Sequence, residues 1–215
     1  MTLSRQGILA QILQERVVGI VRLKEQNQVA ECLACLIEGG MRCLEITSNT
    51  PGYVEEIAKA RARFPDILIG AGTITNAEKA HLAVEAGAQF LVTPNINEDV
   101  VKLAHEADIP VLMGALTPTE INLAVEWGAD IVKLFPAGDI GIGYCKGIMG
   151  PFNDIPLMAV GGVSKENVVE WLQAGIAGVG IGSQLCRAVS NEEDKREHTE
   201  YVKGFMRLVK QSTQH

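Results

Sequence analysis

The chain is 215 residues long, 47% hydrophobic and 21% charged, the make-up of one domain with a substantial core, and no segment reads as a linker. Its formal net charge of −7 argues against nonspecific nucleic-acid binding, and no apolar run is long enough for a membrane span or a signal peptide, so cytoplasmic residence is the expectation. Five cysteines, an odd number without a disulfide framework, suit a reducing compartment.

Ser4 to Glu15 carries Ile8, Leu9, Ile12 and Leu13 at helical spacing and predicts an N-terminal helix. The stretch from Val29 has one apolar stripe of Val29, Cys32, Leu33, Leu36 and Ile37. That stripe absorbs the Cys32-x-x-Cys35 pair as core packing, since no second pair of ligands accompanies it. Four helices end on glycine, at Gly39-Gly40, Gly87, Gly128 and Gly175, each suited to a left-handed cap before a strand. Three more strands are announced by Pro65-Asp66-Ile67, Asp108-Ile109-Pro110 and Asp154-Ile155-Pro156. With Val17 to Val21 these give eight strands, near 17–22, 42–47, 67–71, 89–93, 110–114, 130–135, 157–161 and 177–181. Thr50-Pro51 reads as an N-cap followed by proline, Thr75-x-x-Glu78 and Thr117-Pro118-Thr119-Glu120 as capping boxes, and Ser164 precedes a further helical run. The tail from Ser190 to His215, with Tyr201, Val202, Phe205, Met206 and Val209, reads as an amphipathic closing helix. His81, His105, His198 and His215 fall in helical stretches or the tail, so no metal site and no cofactor is expected.

Such alternation admits an open doubly wound sheet or a closed barrel. Eight units with a double-unit period of roughly 45 residues favour an α/β fold, a single (βα)8 TIM barrel over residues 1–215 with N-terminal and closing helices. Within it, Lys133 lies between Ile131 and Phe135 on one face of an apolar strand, and Glu45 lies between Cys43 and Thr47 on another. A desolvated ammonium tends to lose its proton, and the neutral amine is a nucleophile toward carbonyls. The alternative is a plain buried salt bridge between Glu45 and Lys133. The last two strands end in Gly161-Gly162-Val163-Ser164 and Gly182-Ser183, where barrels commonly hold phosphate on backbone N–H groups; tight turns alone are the alternative. Together these features describe Schiff-base chemistry on a phosphorylated keto compound, with a phosphosugar isomerase or epimerase and a noncatalytic phosphoester-binding barrel as rivals.

The segments Leu44-Glu45-Ile46-Thr47, Ile69-Gly70-Ala71-Gly72-Thr73, Val92-Thr93-Pro94-Asn95, Val132-Lys133-Leu134-Phe135-Pro136 and Ala159-Val160-Gly161-Gly162-Val163 resemble the class I aldolases of 2-keto-3-deoxy-6-phosphogluconate (KDPG) and 4-hydroxy-2-oxoglutarate (KHG). The similarity runs from about Val17 to Arg187. It implies that Lys133 forms the imine and that Glu45 is the general acid/base, acting through water. KDPG would yield pyruvate and glyceraldehyde 3-phosphate, and KHG would yield pyruvate and glyoxylate. Thr73 matches a contact to the pyruvate carboxylate, Pro94 and Phe135 match cavity walls, and Gly161, Gly162, Gly182 and Ser183 match the phosphate loops. A homotrimer without cofactor is implied as well. One departure is at Asn49, where gluconate-type members carry a carboxylate-binding arginine; Arg22, at the end of the first strand, is a candidate replacement, with a structural rim role as its alternative. The Asn49-Thr50-Pro51 neighbourhood and the Ala159-to-Val163 turn are similar to the sister aldolase of 2-keto-3-deoxy-6-phosphogalactonate (KDPGal), the C4 epimer, which stands as the alternative substrate.

Overall fold

The computed structural model describes residues 3–212, so His215 lies outside the described residues. Eight parallel strands close into a barrel in chain order: β1 (Val17–Val21), β2 (Cys43–Thr47), β3 (Leu68–Gly72), β4 (Leu91–Val92), β5 (Val111–Ala115), β6 (Ile131–Leu134), β7 (Leu157–Val160) and β8 (Gly178–Ile181), which pairs back to β1. Every strand residue is buried, because the barrel interior covers one face and a shell of helices covers the other. That shell comprises α2 (Val29–Glu38), α3 (Tyr53–Arg63), α4 (Ala77–Glu85), α5 (Glu98–Glu106), α6 (Pro118–Glu126), α7 (Ala137–Met149, kinked at Gly141) and α8 (Val168–Gln173). The N-terminal α1 (Arg5–Glu15) and the long α9 (Glu192–Gln211) complete the chain, and α9 buries Val202, Phe205, Met206 and Val209 against α2 and α8.

The strand boundaries agree with the expected ones to within one residue, apart from β4, which starts two residues late. There the ladder continues through Gln89 N–H to the Ile69 carbonyl and Thr93 N–H to the Leu112 carbonyl, while the Gln89 side chain accepts from Ile69 N–H in place of a backbone group. The helix-ending glycines take the left-handed conformation, with φ of 104° at Gly40, 89° at Gly87 and Gly128, and 100° at Gly175. Cys32 and Cys35 pack into the core on α2, and burial raises both thiols, Cys32 to about 12.

Helix starts follow expectation only in part. Thr117 and Glu120 do form the reciprocal capping box of α6. For α4, however, the cap is Asn76, whose side chain accepts from Lys79 N–H, because an Asx oxygen one residue nearer the helix displaces Thr75. Thr50 caps nothing either. Its hydroxyl is buried between β1 and β2, and α3 starts from Gly52 at φ 67°.

The floor of the barrel, at the N-terminal ends of the strands, is tied by Arg16. This residue closes α1 at φ 59°, and its guanidinium donates to the carbonyls of Leu172, Ile176 and Ala177 ahead of β8. Asp130, just before β6, accepts from Val111 N–H and pairs with Arg5 of α1 at 3.4 Å. The end of the barrel that carries Lys133 is therefore built on a pinned base. No helix among the described residues is long and apolar enough to cross a membrane.

Candidate active site

Glu45 and Lys133 both point into the barrel, where they share a small internal space with Val18, Ile20, Val92, Leu112, Met158, Val160 and Gly180. Glu45 is 2% exposed and Lys133 6% exposed. Glycines make room for Glu45 and for the groups packed around the pair. A Cβ at Gly72 would collide with the Glu45 carboxylate, and one at Gly70 would reach within 2.5 Å of the Phe90 ring. Gly114, the β5 neighbour of Lys133, packs its Cα against the Pro94 carbonyl so closely that no side chain fits.

Among the described residues, Glu45 and Lys133 form no direct ion pair; they feel each other's charge without a hydrogen bond between them. Burial raises the Glu45 carboxyl above its usual range, against the pull of Lys133 and Arg22. Burial likewise lowers the Lys133 amine, helped by Arg22 and opposed by Glu45. Desolvation is the largest influence on both groups, so each moves toward its uncharged form: a nucleophilic amine and a carboxyl with a proton to give. That arrangement disfavours the plain salt bridge. The space lined by the two side chains is about 10 Å³, at the lower limit of what one water requires.

Above them a cavity of about 360 Å³ opens at the C-terminal ends of the strands, and Lys133 lines both spaces. Arg22, Thr73, Pro94, Phe135, Gly161, Gly162, Gly182 and Ser183 line this cavity together. The Lys133 Nζ lies 4.9 Å from the centroid of the Phe135 ring, which forms a partly exposed wall. Arg22 Nη2 donates to Thr73 Oγ1 at 3.2 Å, so those two residues, each directly following β1 or β3, act as a pair at the mouth. Asn49 is not brought in; it sits exposed on the turn after β2, outside the lining. Gln184 and Ile20 line the cavity and were not signalled by any motif. Gln184 could have been flagged from its place beside Ser183, at the start of the turn that Leu185 and Cys186 close onto the Gly182 carbonyl. A wider groove of about 460 Å³ at the opposite end, lined by Leu13, Phe152 and Pro156, brings no amine or thiol to its wall.

The two glycine turns differ. Gly162 has φ 73°, and its Cβ would lie 2.7 Å from the Cα of Gly138, so it interlocks the loops after β6 and β7. Gly138 N–H donates to the Gly161 carbonyl in the same interlock. Gly182 needs no positive φ, and a Cβ there would meet nothing within 4 Å.

A family model described as KDPG and KHG aldolase matches residues 8–200. The chain belongs to the KDPG and KHG aldolase family. It is therefore an aldolase, a carbon–carbon lyase. It is similar to the 2-dehydro-3-deoxy-6-phosphogalactonate aldolase of Escherichia coli strain K12, at 34% identity over 195 residues that cover 89% of this chain and 95% of that protein. Among solved structures, the native KDPGal structure superposes with a TM-score of 0.85 at 31% identity, over 93% of this chain and 96% of that one. The KDPG aldolase of Legionella pneumophila, solved with pyruvate captured as a covalent carbinolamine, matches with a TM-score of 0.78 at 28% identity, over 93% and 95% of the two chains.

Proposed function

We propose that this aldolase cleaves a 2-keto-3-deoxy-6-phosphohexonate into pyruvate and glyceraldehyde 3-phosphate through an imine on Lys133. The observation that carries this reading is the buried amine of Lys133 at the base of a cavity whose rim holds the turns after β7 and β8. The neutral amine adds to the C2 carbonyl and water leaves. When the C3–C4 bond breaks, its electron pair flows into the protonated imine, and the C4 hydroxyl passes its proton through water to the Glu45 carboxylate as the aldehyde forms. Glu45 then protonates C3 of the enamine through water and assists imine hydrolysis, which frees pyruvate. KHG, lacking the phosphate, would give pyruvate and glyoxylate by the same steps. Of the two C4 epimers, KDPGal is favoured over KDPG. Supporting this choice are the likeness of the Asn49-Thr50-Pro51 and Ala159-to-Val163 segments to the galactonate enzymes and the match along 95% of the E. coli galactonate enzyme.

Pyruvate release from KDPGal, KDPG and KHG, followed with wild type and Gly182→Val, tests both parts. The turnover ratio of the two phosphorylated epimers reports the preference. Because Gly182 has open space where a Cβ would go, the variant keeps its fold while its side chain occupies the phosphate turn. We expect it to weaken both phosphorylated substrates by at least about tenfold, the loss of one charge-assisted hydrogen bond, and to spare KHG. Equal losses on all three would show that the turn after β8 does not read phosphate.

Arg22, paired with Thr73, is assigned the substrate carboxylate in place of the arginine absent at Asn49. Arg22→Ala should raise the KM for pyruvate in the condensation direction by about 1.5–3 kcal/mol of lost binding. Arg22→Lys should recover only part, since an ammonium lacks the planar fork. An unaltered pyruvate KM in Arg22→Ala would leave Arg22 as a rim residue.

A further inference from the structure

Thr73 is a β-branched residue held at φ 57°, a left-handed conformation that such side chains rarely adopt and that persists only when the surroundings enforce it. Two groups enforce it. Its hydroxyl accepts from Arg22, and its carbonyl accepts a 2.7 Å hydrogen bond from Ser48 Oγ. Ser48 is itself fixed, because its N–H donates to the Gly72 carbonyl at 2.8 Å. The same turn also grips the other member of the pair. Thr47 Oγ1 lies 3.2 Å from the Val21 carbonyl, Thr50 Oγ1 lies 3.1 Å from Thr47 Oγ1, and Thr50 Oγ1 accepts from Leu23 N–H at 3.2 Å. The backbone on both sides of Arg22 is thus bonded to two buried hydroxyls, neither more than 1% exposed. Thr50 Oγ1 also lies 3.3 Å from the Val21 carbonyl, so one of the two hydroxyls donates to Val21 and accepts from the other.

We propose that the turn Thr47–Thr50, which places no side chain in the cavity lining, is the positioning element for carboxylate recognition: Ser48 sets Thr73, and Thr47 with Thr50 sets Arg22. The inference deepens the proposed function and rests on Arg22 and Thr73 receiving the substrate carboxylate. It gives a physical reason for two hydroxyls buried beside the mouth, where they neither cap α3 nor enter the cavity. A guanidinium on a long side chain recognises a carboxylate well only when its backbone and its hydrogen-bonded neighbour are fixed in advance.

The test measures KM and kcat for pyruvate in condensation with glyceraldehyde 3-phosphate, for wild type, Arg22→Ala, Ser48→Ala, Thr50→Val and Thr50→Ser. Ser48→Ala and Thr50→Val should each raise KM by about tenfold, the change that one net hydrogen bond corresponds to, with kcat little changed. Thr50→Ser keeps the hydroxyl and should restore KM. Ser48 is half-buried at the rim, so its truncation leaves the fold intact even if Thr50→Val does not. If Arg22→Ala raises KM while both turn variants leave it at the wild-type value, the positioning role is overturned and the carboxylate reading survives. Should Arg22→Ala itself leave KM unchanged, the carboxylate reading fails and takes this inference with it. Loss of kcat in step with melting temperature, without rescue by Thr50→Ser, would reduce the turn to a structural element and also overturn the proposal.

Discussion

Lys133→Met should abolish aldol cleavage and at the same time make the protein more stable. The activity loss follows from the absence of any other amine in the internal space or the cavity above it, apart from the guanidinium of Arg22, which cannot form the imine. The stability gain follows from burial: an amine 6% exposed and without a direct ion pair sits among Val92, Leu112 and Met158, where an apolar side chain of similar length is better solvated. Methionine removes the desolvated amine, and Glu45, no longer held down by the Lys133 charge, moves further toward its neutral form rather than standing as an uncompensated buried charge. The sign of the pH dependence follows from the lowered pKa. The unfolded chain holds the lysine proton up to its ordinary value of 10.5, while the folded protein releases it earlier. Wild-type stability from this group therefore rises with pH through the window between the lowered folded value and 10.5, and is lost as pH falls through the folded value. Thermal melts should show the mutant's advantage largest on the acid side of that window and shrinking as pH approaches 10.5. An advantage that grows with pH would contradict the desolvated-amine assignment.

Glu45→Gln should lower kcat by about 100-fold or more, the usual contribution of a positioned acid/base group, with a much smaller effect on KM. The amide keeps the shape that Gly72 accommodates, so the barrel should retain its packing. Because burial raises the Glu45 carboxyl, the folded state holds its proton over a window above the ordinary value of 4.5, and this group's contribution to stability falls as pH rises through that window. The pH dependence of stability should therefore flatten there in the variant. Measuring kcat alongside melts across pH separates the two roles. Normal turnover with a lowered melting temperature would restore the salt-bridge reading.

The barrel was legible because its signals are local and repeat: a left-handed glycine after a helix, then a short apolar strand, recurring around the closed sheet. The burial of Lys133 and Glu45 inside the barrel was legible because a charge in the middle of an apolar strand is conspicuous whatever surrounds it. The rest depended on contacts between strands distant in sequence. Thr50 looked like a helix cap since proline follows it, yet its hydroxyl is claimed by Val21 and Leu23, 27 or more residues earlier. Asn49 drew attention as a departure from a motif, but only the geometry shows its side chain exposed while Ser48 reaches Thr73. Gly70 and Gly114 read as strand residues and Gly72 as the residue after one, and their purpose appears only with Phe90, Pro94 and Glu45 placed against them. Gly162 and Gly182 looked equivalent on paper. In the fold, the first interlocks two loops and the second leaves open space.

Borohydride reduction in the presence of pyruvate, read by intact and peptide mass, tests the imine most directly. The account predicts loss of activity with one pyruvate-derived group added per chain, carried on the peptide containing Lys133, and no addition to Lys133→Met. Addition at a different lysine, or an unmodified wild-type chain that still releases pyruvate, would contradict it and reduce Lys133 to an electrostatic clamp on the enolate that forms when the C3–C4 bond breaks.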